Sequence, residues 1–380
     1  MGAVGVVGVV GALCAASAVL ATEPSKMGCL SECTPRIGIV SAFGEEANIL
    51  LAATDERRDY MINGNRYSIG ILRGNPVVIV LSGVSMINAS MITQLMLNHF
   101  RIERLIMSGI AGGVNPGNNI GDVMVPERWS MPLEVYWNGD DAVPAPCGKA
   151  GDVSCLGLQL AMDEGQQALG QPWSGFKLYD AQGNVSGSLF LRDNFVLNSA
   201  NAPQGEYKFD YEVDPAMLDV ARSIKPMLQQ CGIKGGEKLC VSNPPKIKVG
   251  GRAVSSTAYL ANAAYRTYLF VTLQAEVVDM ETAALAHVAY ANQVPYIAFR
   301  SVTDLAGGQD FNQVGAFFGS GLAETNEAAV TLAFLEQWHA LNANPHSAAS
   351  STTDTNVTGK YLTIIFLYGL VITCSLITFC

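Results

Sequence analysis

Four carboxylates and one glycine turn are the residues of this chain whose types and spacing could do chemistry. Glu45 and Glu46 follow the apolar run RIGIVSAF (Arg36 to Phe43), Glu281 stands in VVDMETAALAHV, and Asp304 closes FRSVTD four residues after Arg300. The stretch SGIAGGVNPGNNIGD adds Ala111, Gly112 and Gly113, where a ligand can approach bare backbone. A carboxylate at a helix start is favoured by the helix dipole, and it can accept two hydrogen bonds from a vicinal diol. Each element also has a local explanation. Asp279 can cap the following helix, which puts Glu281 in its first turn, Asp304 can cap a helix or pair with Arg300, and the glycines can form a tight turn. The glycine stretch matches neither the dinucleotide fingerprint nor the P-loop. Local capping does not require convergence, however. All of these elements follow a strand-like run, which places them at one edge of one sheet.

The positioning elements are legible as alternating patterns. RIGIVSAF, PVVIVLSG (Pro76 to Gly83), RLIMSGIAGG and GDVMVPERW read as four strands, and INASMITQLMLNHF reads as a helix. The alternation predicts an α/β domain over 35–340 with a central mixed, largely parallel sheet flanked by helices, whose ligands sit beyond the strand C-termini. From 130 to 246 the regularity is lost in a loop-rich insertion that carries cysteines and many Gly and Pro. Within it, DPAMLDVARSIKPMLQQCG predicts an amphipathic helix capped by Asp214.

The chain has 380 residues and a formal net charge of −10. That balance argues against a nucleic-acid partner, which needs a basic footprint. Residues 1–21 read as a secretory signal, 341–360 as a polar spacer, and 361–380 as a hydrophobic anchor. That anchor fits a lipid-anchor signal or a single transmembrane helix. Either attaches the protein to a membrane through its C-terminal tail, with the folded part in the secretory pathway and then at the extracellular face of the plasma membrane or in the cell wall space. Cys29, Cys33, Cys147, Cys155, Cys231 and Cys240 lie between the two ends. An even count in a secreted context reads as disulfides, and the short spacings suggest Cys147–Cys155 and Cys231–Cys240, with Cys29–Cys33 left over. Without CxxC pairs or nearby histidines, no metal site is expected. Of the sequons at Asn88, Asn184 and Asn356, Asn184 is the expected sugar carrier.

Taken together, IGIVSAFGEEANIL, SGIAGGVNPGNNIGDVMV, VVDMETAALAHV and FRSVTD resemble, in order and spacing, the purine nucleoside phosphorylase and methylthioadenosine/adenosylhomocysteine nucleosidase superfamily. The resemblance covers roughly Arg36 to Trp129 and Lys246 to about Leu335. In look, the chain is most similar to the secreted plant members related to bark and vegetative storage proteins. The resemblance implies a three-layer sandwich and cleavage of the N-glycosidic bond of a small purine nucleoside by hydrolysis or phosphorolysis. It implies no cofactor, with phosphate as the alternative co-substrate, and a homo-oligomer. Asp304 matches the acid that donates to purine N7, and Glu281 the residue that binds the ribose hydroxyls. Met280 matches the residue under the sugar, Tyr259 the aromatic that stacks on the base, and Leu260 offers backbone contacts beside it. Arg300 matches an arginine near the nucleophile, and Glu46 the glutamate that positions the attacking water. Two positions depart from the pattern. Ile110 stands where the bacterial nucleosidases have a hydroxyl residue, and Met107 where phosphorylases place an arginine. Arg73, Arg252 and Arg300 remain as candidates for a different phosphate site. A storage or ligand-binding protein on the same scaffold is the alternative to an enzyme.

Overall fold

The computed structural model describes residues 29–31, 33–132, 135–138, 175–179, 185–191, 194–198, 202–308 and 317–343. The expected signal segment, Cys147 and Cys155, the sequons at Asn184 and Asn356, the polar spacer from 344 and the hydrophobic tail lie outside these residues. Among the described residues, no helix is long and apolar enough to cross a membrane.

The chain opens with β1 (Arg36–Ser41), α1 (Gly44–Ala52), β2 (Asp55–Ile62), β3 (Asn65–Leu72), β4 (Asn75–Leu81), α2 (Met86–His99) and β5 (Ile102–Gly113). Short strands follow: β6 (Val123–Val125), β7 (Arg128–Ser130), β8 (Val135–Asn138), β9 (Gly175–Tyr179), β10 (Val185–Leu191), β11 (Asn194–Asn198), β12 (Ala202–Lys208) and β13 (Asp210–Glu212). Next come α3 (Pro215–Ser223), β14 (Cys231–Lys234), β15 (Glu237–Cys240), β16 (Ile247–Val249) and β17 (Arg252–Ser255). The last elements are α4 (Ala263–Leu273), β18 (Ala275–Asp279), α5 (Thr282–Ala291), β19 (Tyr296–Asp304) and α6 (Leu322–Ala343).

Twelve of these strands form one mixed sheet whose main path runs β13-β7-β17-β18-β5-β1-β4-β3-β2, with β19, β6 and β16 joined beside it. β1 lies parallel between β4 and β5, and β19 runs parallel to β5. All six residues of β1 and all nine of β19 are buried, as expected of central strands covered on both faces. β18 meets β5 antiparallel, with Val278 opposite Gly112 and Val277 opposite Gly113. The mixed sheet flanked by helices matches the expected fold class.

Several local readings need correction. Ala111, Gly112 and Gly113 form no turn: they are the last residues of β5, paired with β18 and β19. GDVMVPERW is not one strand: it divides into β6 and β7 around Pro126, whose ring removes a ladder donor. The regular core also re-enters earlier than Lys246. β13 pairs with β7, and Met217, Leu218, Val220 and Ala221 of α3 join the main core. Asp214 caps α3 as expected, accepting from the Met217 N–H at 2.9 Å. The helix stops at Ser223, short of its apolar pattern, because Pro226 has no amide to donate and disfavours helical backbone at Lys225. Cys29–Cys33 and Cys231–Cys240 are bonded.

Candidate active site

Arg300, in the middle of β19, is fully buried and organises three carboxylates. Its Nε lies 2.8 Å from Asp279, its Nη2 3.3 Å from Glu281 and its Nη1 3.5 Å from Glu46. Burial pulls its pKa down, but Asp279, Glu281, Glu46 and Glu327 outweigh that and hold it above the ordinary value. The guanidinium also donates to the Ile110 carbonyl. Gly109 stands opposite Arg300 in the β5–β19 register, and a Cβ there would lie 2.3 Å from Glu46 Oε1 and 2.4 Å from Arg300 Nη1. Only glycine lets this ion pair form against the strand.

Glu46 sits in the first turn of α1. One of its oxygens reaches back to the Ala42 and Phe43 N–H groups at 2.6 and 3.2 Å, in the manner of a capping glutamate. The other accepts from the Ile110 N–H at 2.9 Å. Burial nevertheless dominates, and against the opposing Arg300 charge the Glu46 pKa rises to about 7. Such a group is poised to exchange a proton near neutrality.

Asp279 ends β18. It accepts from the Ser255 and Thr282 hydroxyls and from the Glu281 and Thr282 N–H groups. The expected cap is therefore real, but Glu281 stands just before α5 and not inside its first turn. One Glu281 oxygen accepts from the Ser85 N–H at 2.9 Å, and the other faces Arg300. Burial raises its pKa, opposed by Arg300.

Asp304 does not pair with Arg300. A register shift between Val302 and Asp304 leaves Asp304 opposite Gly112, so the two side chains fall on opposite faces of the strand. Its oxygens accept from the Ala306 N–H at 2.8 Å and the Thr303 hydroxyl at 3.0 Å. Burial raises its pKa, the two hydrogen bonds opposing.

Glu46, Glu281 and Asp304 share one cavity of about 150 Å³. Met280, Tyr259, Leu260, Ala111 and Gly112 line it too, so eight of the candidate residues come together, whereas Glu45 and Gly113 do not line it. Tyr259 keeps 59% of its surface exposed at the mouth. Arg300 does not line the cavity either: it holds two of the carboxylates that do. The alternative arginine site is not assembled. Arg252 is committed to both oxygens of Asp210 at 2.8 and 2.6 Å, Arg73 lies in the turn between β3 and β4, and neither lines the cavity. Reading the sequence missed Phe43, Val84 and Phe318, which supply apolar wall, and Ser85, whose N–H holds Glu281. Phe43 closes a run read only as a strand, and Val84, Ser85 and Phe318 lie in turns or loops with no periodic signal. Among the described residues, no group of three His, Cys, Asp or Glu side chains is placed to hold a metal ion.

A family model for the phosphorylase superfamily matches residues 36–336, and the chain belongs to that superfamily. Within it, the chain is similar to the 5'-methylthioadenosine/S-adenosylhomocysteine nucleosidase of Listeria innocua, 36% identical over 92 residues, 24% of this chain and 40% of the relative. The protein of the same name from a Geobacillus strain is 37% identical over 90 residues, covering 24% and 39%. The match thus spans about two-fifths of the length of these relatives. Among solved structures, the nucleosidase of Streptococcus pneumoniae, with a transition-state inhibitor, aligns with a TM-score of 0.52 at 20% identity, covering 80% of this chain and 99% of that one. Futalosine hydrolase of Helicobacter pylori aligns at 0.50 and 17%, covering 80% and 96%. At these identities the likeness is one of fold.

Proposed function

We propose that this protein cleaves the N-glycosidic bond of purine nucleosides, with water as the nucleophile. The observation that carries this reading is the placement of three buried carboxylates, Glu46, Glu281 and Asp304, on one small cavity at the end of β5, where Ala111 and Gly112 line it. The protonated Asp304 carboxyl donates to the purine N7 as the bond between the sugar C1' and the base breaks, and the bonding pair leaves with the base. Water attacks C1', and the Glu46 carboxylate takes its proton. Glu281 accepts from the ribose hydroxyls and draws charge toward the sugar as it becomes cationic. The superfamily and the nucleosidase relatives support glycosidic cleavage. The commitment of Arg252 to Asp210 favours water over phosphate.

The test is to incubate the purified protein with adenosine, inosine, methylthioadenosine and a cytokinin riboside, each with and without phosphate. Base release without phosphate is the expected result. Release only with phosphate replaces hydrolysis by phosphorolysis, and no release in either arm leaves a storage or binding protein on this fold.

A pH profile checks the role of Glu46. Its active form is the carboxylate, and its pKa stands near 7, so kcat/KM rises with pH through about 7. A profile flat from pH 5 to 8 overturns the base assignment. The stability effect has the opposite sign. A carboxyl whose folded pKa is raised favours the fold fully below about 4.5, and that contribution is lost as pH rises through about 7. Glu46→Gln therefore shows a smaller fall in Tm between pH 5 and 8 than the parent protein.

We also propose that the protein is exported and held at a membrane by its C-terminal tail. The Cys29–Cys33 and Cys231–Cys240 disulfides support an oxidising compartment. Treating expressing cells with a phosphatidylinositol-specific phospholipase releases the protein if the anchor is a lipid. Retention in the membrane pellet identifies a transmembrane helix, and a freely soluble protein rejects both.

A further inference from the structure

A disulfide-closed hairpin lies against the loop that supplies one wall of the cavity. β14 and β15 are joined by Cys231–Cys240, two residues directly opposite in register. The Ile233 N–H donates to the Ser320 carbonyl at 2.8 Å, and a Cβ on Gly232 would stand 2.5 Å from that same oxygen. Backbone thus meets backbone, with no room for a side chain between. A second tie lies just before the hairpin. The buried Asn326 of α6 accepts from the Gln229 N–H at 2.6 Å and donates to the carbonyls of Gln229 and Gly121, each at 3.0 Å.

The other side of this seam leads to the cavity. Ser320 donates its N–H to the Phe317 carbonyl at 3.0 Å, and its hydroxyl accepts from the Leu322 N–H at 3.3 Å. Gly319 and Gly321 beside it hold left-handed φ angles of 73° and 74°. Such glycines have wide conformational freedom, so the loop needs an external anchor to keep one shape. Phe318, inside this loop, lines the cavity with Phe43, their ring centroids 6.2 Å apart. Phe43 in turn gives its N–H to Glu46.

We propose that the Cys231–Cys240 hairpin is a positioning element of the binding cavity: by gripping Ser320 it holds Phe318 over Phe43 and sets affinity for the apolar part of the ligand lying against that wall. The effect on affinity rests on the function proposed above, whereas the grip itself does not. Hydrogen exchange and steady-state kinetics test the two separately, on the paired substitution Cys231→Ser/Cys240→Ser, on Gly232→Ala, and on Phe318→Ala. Gly232→Ala keeps the disulfide and breaks only the seam, so it carries the test if the cysteine variant fails to fold. Amides of residues 317–325 are expected to exchange at least about tenfold faster in the first two variants, with β5 and β19 unchanged. KM for the best nucleoside rises about three- to tenfold, the range of one aromatic contact, and kcat stays within about twofold. Phe318→Ala raises KM alike, and adding Gly232→Ala to it raises KM no further. Unchanged exchange at 317–325 overturns the grip. Additive KM effects overturn its action through Phe318. If the parent protein releases no base, the proposed function fails while the exchange result still decides the grip.

Discussion

Asp304→Asn is expected to lower kcat by on the order of 10²-fold or more, the usual contribution of a general acid, with the fold intact. The amide keeps the shape of the carboxyl, and its oxygen can still accept from the Ala306 N–H, 2.8 Å away in the parent. It cannot supply the acidic proton. Because burial already favours the neutral carboxyl, a neutral amide costs little in folding. Activity and stability therefore separate at this position, and kinetics alongside a thermal melt reads both. Base release at the parent rate would remove Asp304 from the reaction. An equal loss of folding would make it a structural residue.

Arg300→Met is expected to give the largest loss of stability. Breaking a buried ion pair from one side costs about 3–5 kcal/mol, a large share of the roughly 5–15 kcal/mol that holds a domain together. Here one guanidinium faces three carboxylates, all with it inside the protein. The damage depends on pH. At pH 5 Glu46 and Glu281, whose pKa values burial raises, can protonate, while at pH 8 burial opposes their charge with no guanidinium to offset it. The variant's urea midpoint should thus fall further below the parent's at pH 8 than at pH 5. Arg300→Lys restores one charge but not the fork that spans three partners, so its rescue is partial. A midpoint unchanged at both pH values would show that the cluster does not need its cation.

Much of the site was legible in the chain because its signals are local. Glu46 stands three residues after Phe43, where it caps the helix of a strand that had already declared itself by its apolar run. The glycines of SGIAGG mark the end of β5, and Asp279 caps the turn that presents Met280 and Glu281. The rest of the wall was not legible. Phe318 lies 275 residues from the phenylalanine it faces, in a segment without period, and Val84 and Ser85 occupy a turn whose backbone is used more than its side chains.

By itself the sequence determined that RIGIVSAF, PVVIVLSG and RLIMSGIAGG hold buried strands, that Asp214 and Asp279 cap helix starts, and that several carboxylates and the glycines ending β5 share one sheet edge. Those properties arise from burial and from hydrogen bonds spanning a few residues, and the chain carries them wherever it goes. The tertiary structure alone decided what Arg300 does. Four residues apart on a regular strand, Arg300 and Asp304 would share one face, but the shift between Val302 and Asp304 sets Asp304 opposite Gly112 on the cavity, while Arg300 goes to Glu46, Asp279 and Glu281. The same long-range register spent Arg252 on Asp210. Which charge meets which depends on strand order and on a one-residue slip, and neither is written in any short stretch of residues.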